Sequence, residues 1–421
     1  MTSLPPDQAA PTLLVLDGAY TLETLRKLGN EHSVTCRDLG GFFRHVWNVH
    51  PLASLTTSPG WAPRYGRPIW HELAPRHTFI EGKIGRFAWL ARLFPLNFAL
   101  AQLGLFFTLL ALVRRERIAA VRVGDPLYLG LFGWALAKLA GIPLVIRVNG
   151  NNAKVRANTG APIFPRLFRS AKVESCIERF VFPRAAMVAA PNPENLEFAL
   201  AAGADAARTT VFRYGNLLSP EHRQPPEERV FDESLLARLG LDPGRYLLAV
   251  GRLQPLKFPE DCVDVLAELR TRGHDIKLCF AGEGELETPL RAQAAELNVT
   301  DQTVFAGNQN QAALAQLNAH AAVVLSPFTG RALSESALGG AGIVAYDLDW
   351  QGELIEDGLT GRLIPFRDKA AFIHATEELI VDPEKRAAFG AAVRRRALEM
   401  LDPDVLDAHE RAEYRRILGL G

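Results

Sequence analysis

Arg252 and Lys257 stand in the loop GRLQPLK, directly after the apolar run YLLAV. Two cations on a loop at the carboxyl end of a strand suit the neutralisation of a diphosphate, and Gly251 lets the backbone approach such a group closely. The same letters also describe a solvated basic loop. Glycines recur at two further strand ends, Gly282 and Gly284 after IKLCFA and Gly307 after TVFA. There they let backbone groups face a ligand, although a glycine at a strand end also makes a plain turn. A third loop lies within SPFTGRALSESALGG (Ser326 to Gly340), which follows AAVVL and leads into a helix. Backbone N–H groups near Thr329, Gly330 and Arg331 then sit at the positive end of a helix dipole, an anion site. Glu335 falls about one turn into that helix, where a carboxylate can accept both hydroxyls of a ribose; the alternative is an exposed helical glutamate.

These loops can converge only if parallel strands present them at one edge. From residue 230 to 400 the chain alternates strand-like runs (YLLAVG, IKLCFAG, TVFAG, AVVLS, GIVAYD) with helical patterns. That alternation is the mark of a doubly wound α/β unit. Residues 1–218 show the same alternation: LLVLD, the helix TLETLRKLG, a turn-rich region around 38–82, a long apolar helix, AAVRVGD, the helix LYLGLFGWALAKLAG and LVIRVNG. Between them Ser219 to Arg229 (SPEHRQPPEER) is proline-rich and charged, and it is expected to be an exposed linker. Two amphipathic stretches close the chain at 368–400 and 403–418; the last, within 401–421, is expected to cap the second domain or fold back on the first. Two such domains place the carboxyl ends of both sheets toward a shared cleft, where ligands bind.

Lys plus Arg and Asp plus Glu both count 47, so no net field favours nucleic acid as a partner. Cys36, Cys176, Cys262 and Cys279 are scattered without metal-ligand spacing, which predicts reduced core thiols, no metal and no cofactor. The opening residues lack a basic n-region, so the expected location is cytoplasmic. Leu96 to Val113 is nearly long and apolar enough to span a membrane, but Asn97, Gln102 and Thr108 interrupt it, and a core helix is the preferred reading. Lys83 to Phe94 (KIGRFAWLARLF) has the mixture of an interfacial helix, which leaves room for peripheral contact of the N-terminal domain with the inner face of a membrane.

In combination, VGRLQPLK, AGEGELETPLRAQAAELNVTDQTVFAG and ESALGGAGIVAYDLDWQGELIEDGLTGRLIP resemble, in order and spacing, the donor domain of glycosyltransferase family 4. The resemblance runs through most of residues 245–380. It implies a GT-B fold, two Rossmann-like domains facing a central cleft, and retaining, metal-independent transfer of a hexosyl-type sugar. The donor would be a nucleotide-diphosphate sugar and the acceptor a glycan or lipid-linked sugar. By resemblance Arg252 and Lys257 hold the donor phosphates and Glu335 the ribose. The family's first motif Glu falls at Pro327, and the His ending its acceptor-domain segment falls at Asn149. Asparagine can hydrogen-bond a sugar hydroxyl but cannot shuttle a proton. Asp125 and Asn151 are further acceptor-side candidates, and in the first loop, Asp17 to Tyr20, only Gly18 matches the family's paired glycines. Residues 40–80, with Trp47, Trp61 and Trp70, suit either sugar or lipid contact or core and turn roles. Asp347 and Trp350 suit donor contact or a turn, and the letters Asp347, Leu348, Asp349 are read as a turn rather than a metal motif. Two other readings fit these residues: a nucleotide-sugar epimerase of related architecture, and a nucleotide-sugar binding protein whose catalytic motif has eroded.

Overall fold

Runs of leucine and β-branched residues with no polar face belong inside a sheet covered on both sides, and in the computed structural model of this protein they do so twice. The structure describes residues 10–225, 228, 232–328 and 330–420. One unit comprises the chain up to Lys27, Glu31–Leu217 and the chain from Pro403 onward; the other comprises Leu28–Asn30 and Leu218–Asp402.

The first unit is built on an eight-stranded sheet in the order β3-β4-β2-β1-β5-β6-β7-β8. Its strands are β1 (Thr12–Leu16), β2 (His45–His50), β3 (Ile69–Ala74), β4 (His77–Glu81), β5 (Ala120–Val123), β6 (Leu144–Arg147), β7 (Met187–Ala190) and β8 (Thr209–Val211). Every neighbouring pair is parallel except β3 with β4. Leu14 on β1 lies between Trp47 on β2 and Val121 on β5. Helices α1 (Phe94–Arg115) and α2 (Tyr128–Ala140) cover part of this sheet, and α2 stops at Gly141, which takes the left-handed conformation.

Several expectations are corrected here. The region around 38–82 keeps its turns, above all over 51–68, but it also contributes β2, β3 and β4 to the sheet, and Trp47 is a core residue of β2. Lys83–Phe94 is not a helix. Within it only Ala88–Leu90 forms a single 3₁₀ turn, and α1 begins at Phe94. The Asn97 side chain explains this. Its oxygen accepts the N–H groups of Arg86 (2.6 Å) and Phe87 (2.9 Å), and its nitrogen donates to the Phe87 carbonyl (2.7 Å), meeting the backbone's needs without a helix. Of the cysteines, Cys262 and Cys279 are core thiols, whereas Cys36 is half-buried and Cys176 is exposed.

The second unit holds six parallel strands in the order β11-β10-β9-β12-β13-β14. They are β9 (Tyr246–Val250), β10 (Lys277–Ala281), β11 (Thr303–Phe305), β12 (Val323–Ser326), β13 (Gly342–Asp347) and β14 (Arg362–Pro365). Leu248 sits at its centre, opposite Cys279 on β10 and Val324 on β12. Helices α3 (Pro259–Thr271) and α4 (Arg331–Gly339) follow the two central strands. The supposed linker is also corrected. Ser219 and His222 are buried, and the His222 ring Nε2 lies 3.0 Å from the Gln311 side-chain oxygen, so this stretch packs as part of the unit. Residues 226, 227 and 229 of that stretch lie outside the described residues.

The terminal helix, Pro403–Leu418, belongs to the first unit. Glu410 on it is buried and meets two buried arginines, Arg122 at 3.1 Å and Arg147 at 3.3 Å, while Arg147 also donates to the Phe212 carbonyl at 3.0 Å. Tyr414, one turn on, packs edge-to-face on Phe43 with ring centres 4.9 Å apart. Removing the carboxylate strands two buried cations, so Glu410→Ala is expected to destabilise the first unit by about 3–5 kcal/mol. Urea unfolding followed by tryptophan fluorescence measures this, and an unmoved midpoint would refute it.

Candidate nucleotide and acceptor sites

In the second unit the chain runs outward from β9 through β10 to β11, then returns to the other side of β9 for β12, β13 and β14. The order therefore reverses between β9 and β12. In open parallel sheets ligands bind outside the carboxyl ends at such a reversal. The two loops that leave this point are 251–258 and 327–330, the ones that carry Arg252, Lys257 and Gly330.

The β9 loop makes one 3₁₀ turn, Pro255–Lys257, before Phe258 takes the left-handed conformation and α3 begins. That turn points Lys257 across to the β12 loop. Its ammonium lies 4.5 Å from the Phe328 ring centre, and a Cβ on Gly330 would stand 3.4 Å from it. Gly330, at φ 64° and ψ −129°, caps α4 in a conformation that disfavours side chains. Burial pushes the Lys257 ammonium down to about 8, against the pull of Asp349 and with the help of the Arg252 charge. Arg252 itself is exposed. A cation and a helix amino terminus thus meet at one point, which is the arrangement an oxyanion requires.

Glu335 is not an exposed helical residue. It is 4% exposed and accepts from Arg331 Nε at 3.2 Å, while Arg331 also donates to Asn30 Oδ1 at 3.4 Å. Gly282 and Gly284 serve the contact between two loops: a side chain on them would meet the carbonyl oxygens of Gly251 at 2.0 Å and Leu253 at 2.2 Å. Gly307 lies beside Glu283, whose carboxylate accepts from the Asn308 side chain at 2.7 Å. Thr329 lies outside the described residues. Asp347 ends β13, and Asp349, at φ 57°, forms the turn before Gln351–Leu354. Among the described residues, no group of three or more His, Cys, Asp or Glu is placed to hold a metal.

Gln351 was not singled out from the sequence. Fully buried, it accepts from Ser326 Oγ (2.6 Å) and donates to the carbonyls of Pro327 (3.2 Å) and Tyr346 (2.8 Å). One side chain thereby ties the ends of β12 and β13 together and sets the Pro327 turn. Its letter in DLDWQGEL carries no distinguishing spacing.

The first unit has its own reversal, between β1 and β5. Two polar side chains converge around Gly124, where a Cβ would stand 3.2 Å from Asp17 Oδ1 and 3.4 Å from Asn149 Nδ2. Burial pushes the Asp17 carboxyl up, but the Arg37 guanidinium and the Ala19 N–H (2.9 Å) outweigh it and keep the group below the usual carboxylate range. Arg37 pairs with Asp17 and donates to Asn48 at 2.9 Å. Burial and the neighbouring Asp17 charge push Asp125 up to about 7, although Leu127 N–H donates to it at 2.8 Å. Asn149 donates to the Gly124 carbonyl (2.6 Å) and accepts from Tyr214 (3.1 Å). Asn151 caps the helix Asn152–Thr159 by accepting from Lys154 N–H at 3.0 Å, and Gly18 sits exposed with open space around it. Arg37, Asn48 and Tyr214 were not anticipated as site residues; they come from segments distant in the chain.

Residues 233–396 match the model of the glycosyl transferases group 1. The chain is 24% identical over 259 residues to the alpha-D-kanosaminyltransferase of Streptomyces kanamyceticus, covering 61% of this chain and 66% of that one. It is 30% identical over 173 residues to the GDP-mannose-dependent alpha-(1-6)-phosphatidylinositol monomannoside mannosyltransferase of Mycolicibacterium smegmatis, covering 38% and 45%. It spans less than two thirds of the length of either relative. Among solved structures, Anabaena HepE in complex with UDP and glucose aligns over 95% of this chain and 98% of its own, at TM-score 0.68 and 17% identity. Sucrose-phosphate synthase from Thermosynechococcus elongatus aligns over 97% and 100%, at TM-score 0.73 and 16% identity. A likeness at this level shows the fold, the two Rossmann-like units of the GT-B class.

The proton on Lys257 makes this candidate site sensitive to pH. Because its folded-state value is depressed, the ammonium is fully charged only well below about 8 and loses its charge as pH rises through that value. Affinity for a nucleoside diphosphate is therefore expected to fall roughly tenfold or more between neutral and strongly alkaline pH. Lys257→Met should bind more weakly throughout and flatten the profile. Calorimetric titration across pH checks this, and a variant that keeps the parent's profile would refute it.

Proposed function

From a chain whose residues 233–396 belong to the glycosyl transferases group 1, we propose a glycosyltransferase that moves a hexosyl-type sugar from a nucleotide-diphosphate sugar to a hydroxyl of a glycan or lipid-linked acceptor. The observation that carries the reading is the meeting of Lys257 with Gly330 and the amino terminus of α4 at the β9/β12 reversal. Charge builds on the leaving diphosphate as its bond to the sugar breaks, and fixed cations and N–H dipoles in a partly buried site stabilise that charge. Lys257 and the α4 terminus supply this stabilisation, with Arg252 at the exposed rim. Glu335, inside α4, takes the ribose.

The first unit receives the acceptor at Asp17, Asp125 and Asn149. Asn149 is held by Gly124 and Tyr214 and orients a hydroxyl without moving a proton. In the proposed retaining route the bond from the anomeric carbon to the diphosphate breaks, and the acceptor oxygen bonds to the same face. The acceptor proton passes to the departing diphosphate oxygen. No metal is required, because Lys257, Arg252 and the helix terminus carry the positive charge. The Mycolicibacterium relative, a GDP-mannose-dependent phosphatidylinositol monomannoside mannosyltransferase, supports a lipid-linked acceptor here. A cytoplasmic enzyme working peripherally at the inner face of a membrane fits such an acceptor, and nucleic acid has no part in it.

A thermal-shift screen of nucleoside diphosphates and their sugars tests the reading. At least one is expected to stabilise the parent protein. Arg252→Ala and Glu335→Ala should each weaken binding by roughly ten- to a hundredfold, the range for losing a hydrogen bond to a charged group. Equal shifts in all three proteins would remove the site. An epimer formed from donor alone would replace transfer with epimerisation, and tight binding without turnover on any acceptor pool would leave a binding protein.

A further inference from the structure

The first unit shows water a row of apolar side chains between β4 and β5. It starts in the irregular strap before α1, with Phe87, Trp89 and Leu93, and continues along α1 with Leu96, Leu100, Leu103 and Phe107; these side chains are 36% to 78% exposed. The last four recur at intervals of four, three and four residues, so they form one stripe on the helix. The opposite stripe, Ala101, Leu105, Leu109 and Leu112, is buried. Soluble proteins rarely leave so large a contiguous apolar patch open unless something binds it.

Two features say what binds. The first is charge. From Gly82 to Arg115 the chain contains no Asp or Glu, and its ionisable residues are Lys83, Arg86, Arg92, Arg114 and Arg115, in a protein whose charges otherwise balance at 47 each. Lys83 is buried, whereas Arg92 and Arg114 are exposed near the two ends of the stripe. The second is the fate of the polar groups on α1. Asn97 is turned inward onto the backbone of Arg86 and Phe87. Gln102 donates to the Lys83 carbonyl (2.9 Å) and accepts from Tyr128 (2.6 Å), and Thr108 bonds the Gly104 carbonyl of its own helix (2.7 Å). The outer stripe thus offers a partner no side-chain hydrogen bond. Protein interfaces carry about one hydrogen bond per 100–200 Å², whereas hydrocarbon demands that polar groups be satisfied internally.

We propose that this surface, the 87–93 strap together with the outer stripe of α1, docks the first unit on an anionic phospholipid bilayer. The helix lies in the plane of the interface, with Trp89, Leu103 and Phe107 among the acyl chains and Arg92 and Arg114 against the headgroups. The inference deepens the peripheral membrane placement in the proposed function and rests on it, but it uses none of the nucleotide-site residues, so its failure would leave nucleotide binding untouched.

Sedimentation with sucrose-loaded vesicles of phosphatidylcholine, with and without phosphatidylglycerol, tests it. The full chain should sediment with the phosphatidylglycerol vesicles, and less so at high salt. Leu103→Glu with Phe107→Glu should reduce binding at least tenfold, and Arg92→Glu with Arg114→Glu should abolish the preference for phosphatidylglycerol, at about fivefold per cation. All four positions are exposed, and an unchanged melting temperature and nucleotide-induced shift would show that the variants fold. Failure of the parent to sediment, or unaltered binding by Leu103→Glu with Phe107→Glu, overturns the proposal. So does a concentration-dependent dimer that this variant dissolves, which would assign the surface to a second copy.

Discussion

A parallel sheet sends every strand out at the same edge, so whatever follows each strand gathers along one line. In the second unit that constraint, with the reversal between β9 and β12, brings the 251–258 loop to the start of α4, although 73 residues separate Lys257 from Gly330. The chemistry of the site follows from it. Lys257 is partly stripped of water because the neighbouring strand end brings the Phe328 ring and the Gly330 backbone up against its ammonium. The desolvation that lowers its proton affinity also strengthens its attraction for a phosphate.

The first unit repeats the geometry with different chemistry. Its reversal between β1 and β5 collects carboxylates and amides, with the cation Arg37 already paired to Asp17, a set suited to hydroxyl groups. Asp17 stays ionised because Arg37 is beside it, and its charge helps to keep the Asp125 proton on to about neutral pH. Rigidity comes from buried ion pairs. Arg122 on β5 and Arg147 on β6 are held by Glu410, which arrives on the last helix of the chain. The carboxyl-terminal segment is in this way part of the amino-terminal unit's core.

Polar satisfaction decides local structure where propensity alone does not. KIGRFAWLARLF has the composition of a helix, yet Asn97 takes its backbone N–H groups and leaves it as a strap. Gln351 performs a similar service for the Pro327 turn. In both cases an amide side chain supplies both donor and acceptor, the only neutral side chains that do so at two separate atoms apart from histidine.

The sequence by itself determined the local pieces: the strands from their apolar runs, the helix stops from glycine, and the candidate phosphate loops from cations and glycines at strand ends. These depend on interactions within a few residues, and GRLQPLK and SPFTGRALSESALGG carry them in full. Only the tertiary structure decided that Lys257 reaches Gly330, that Glu335 is buried against Arg331, that Arg37 and Asn48 stand behind Asp17, and that the turn-rich 40–80 region also supplies three strands to the first sheet. Each of these depends on which strand lies beside which. Neighbouring strands pair through backbone hydrogen bonds that any sequence offers alike, so strand order leaves little trace in the letters of either partner.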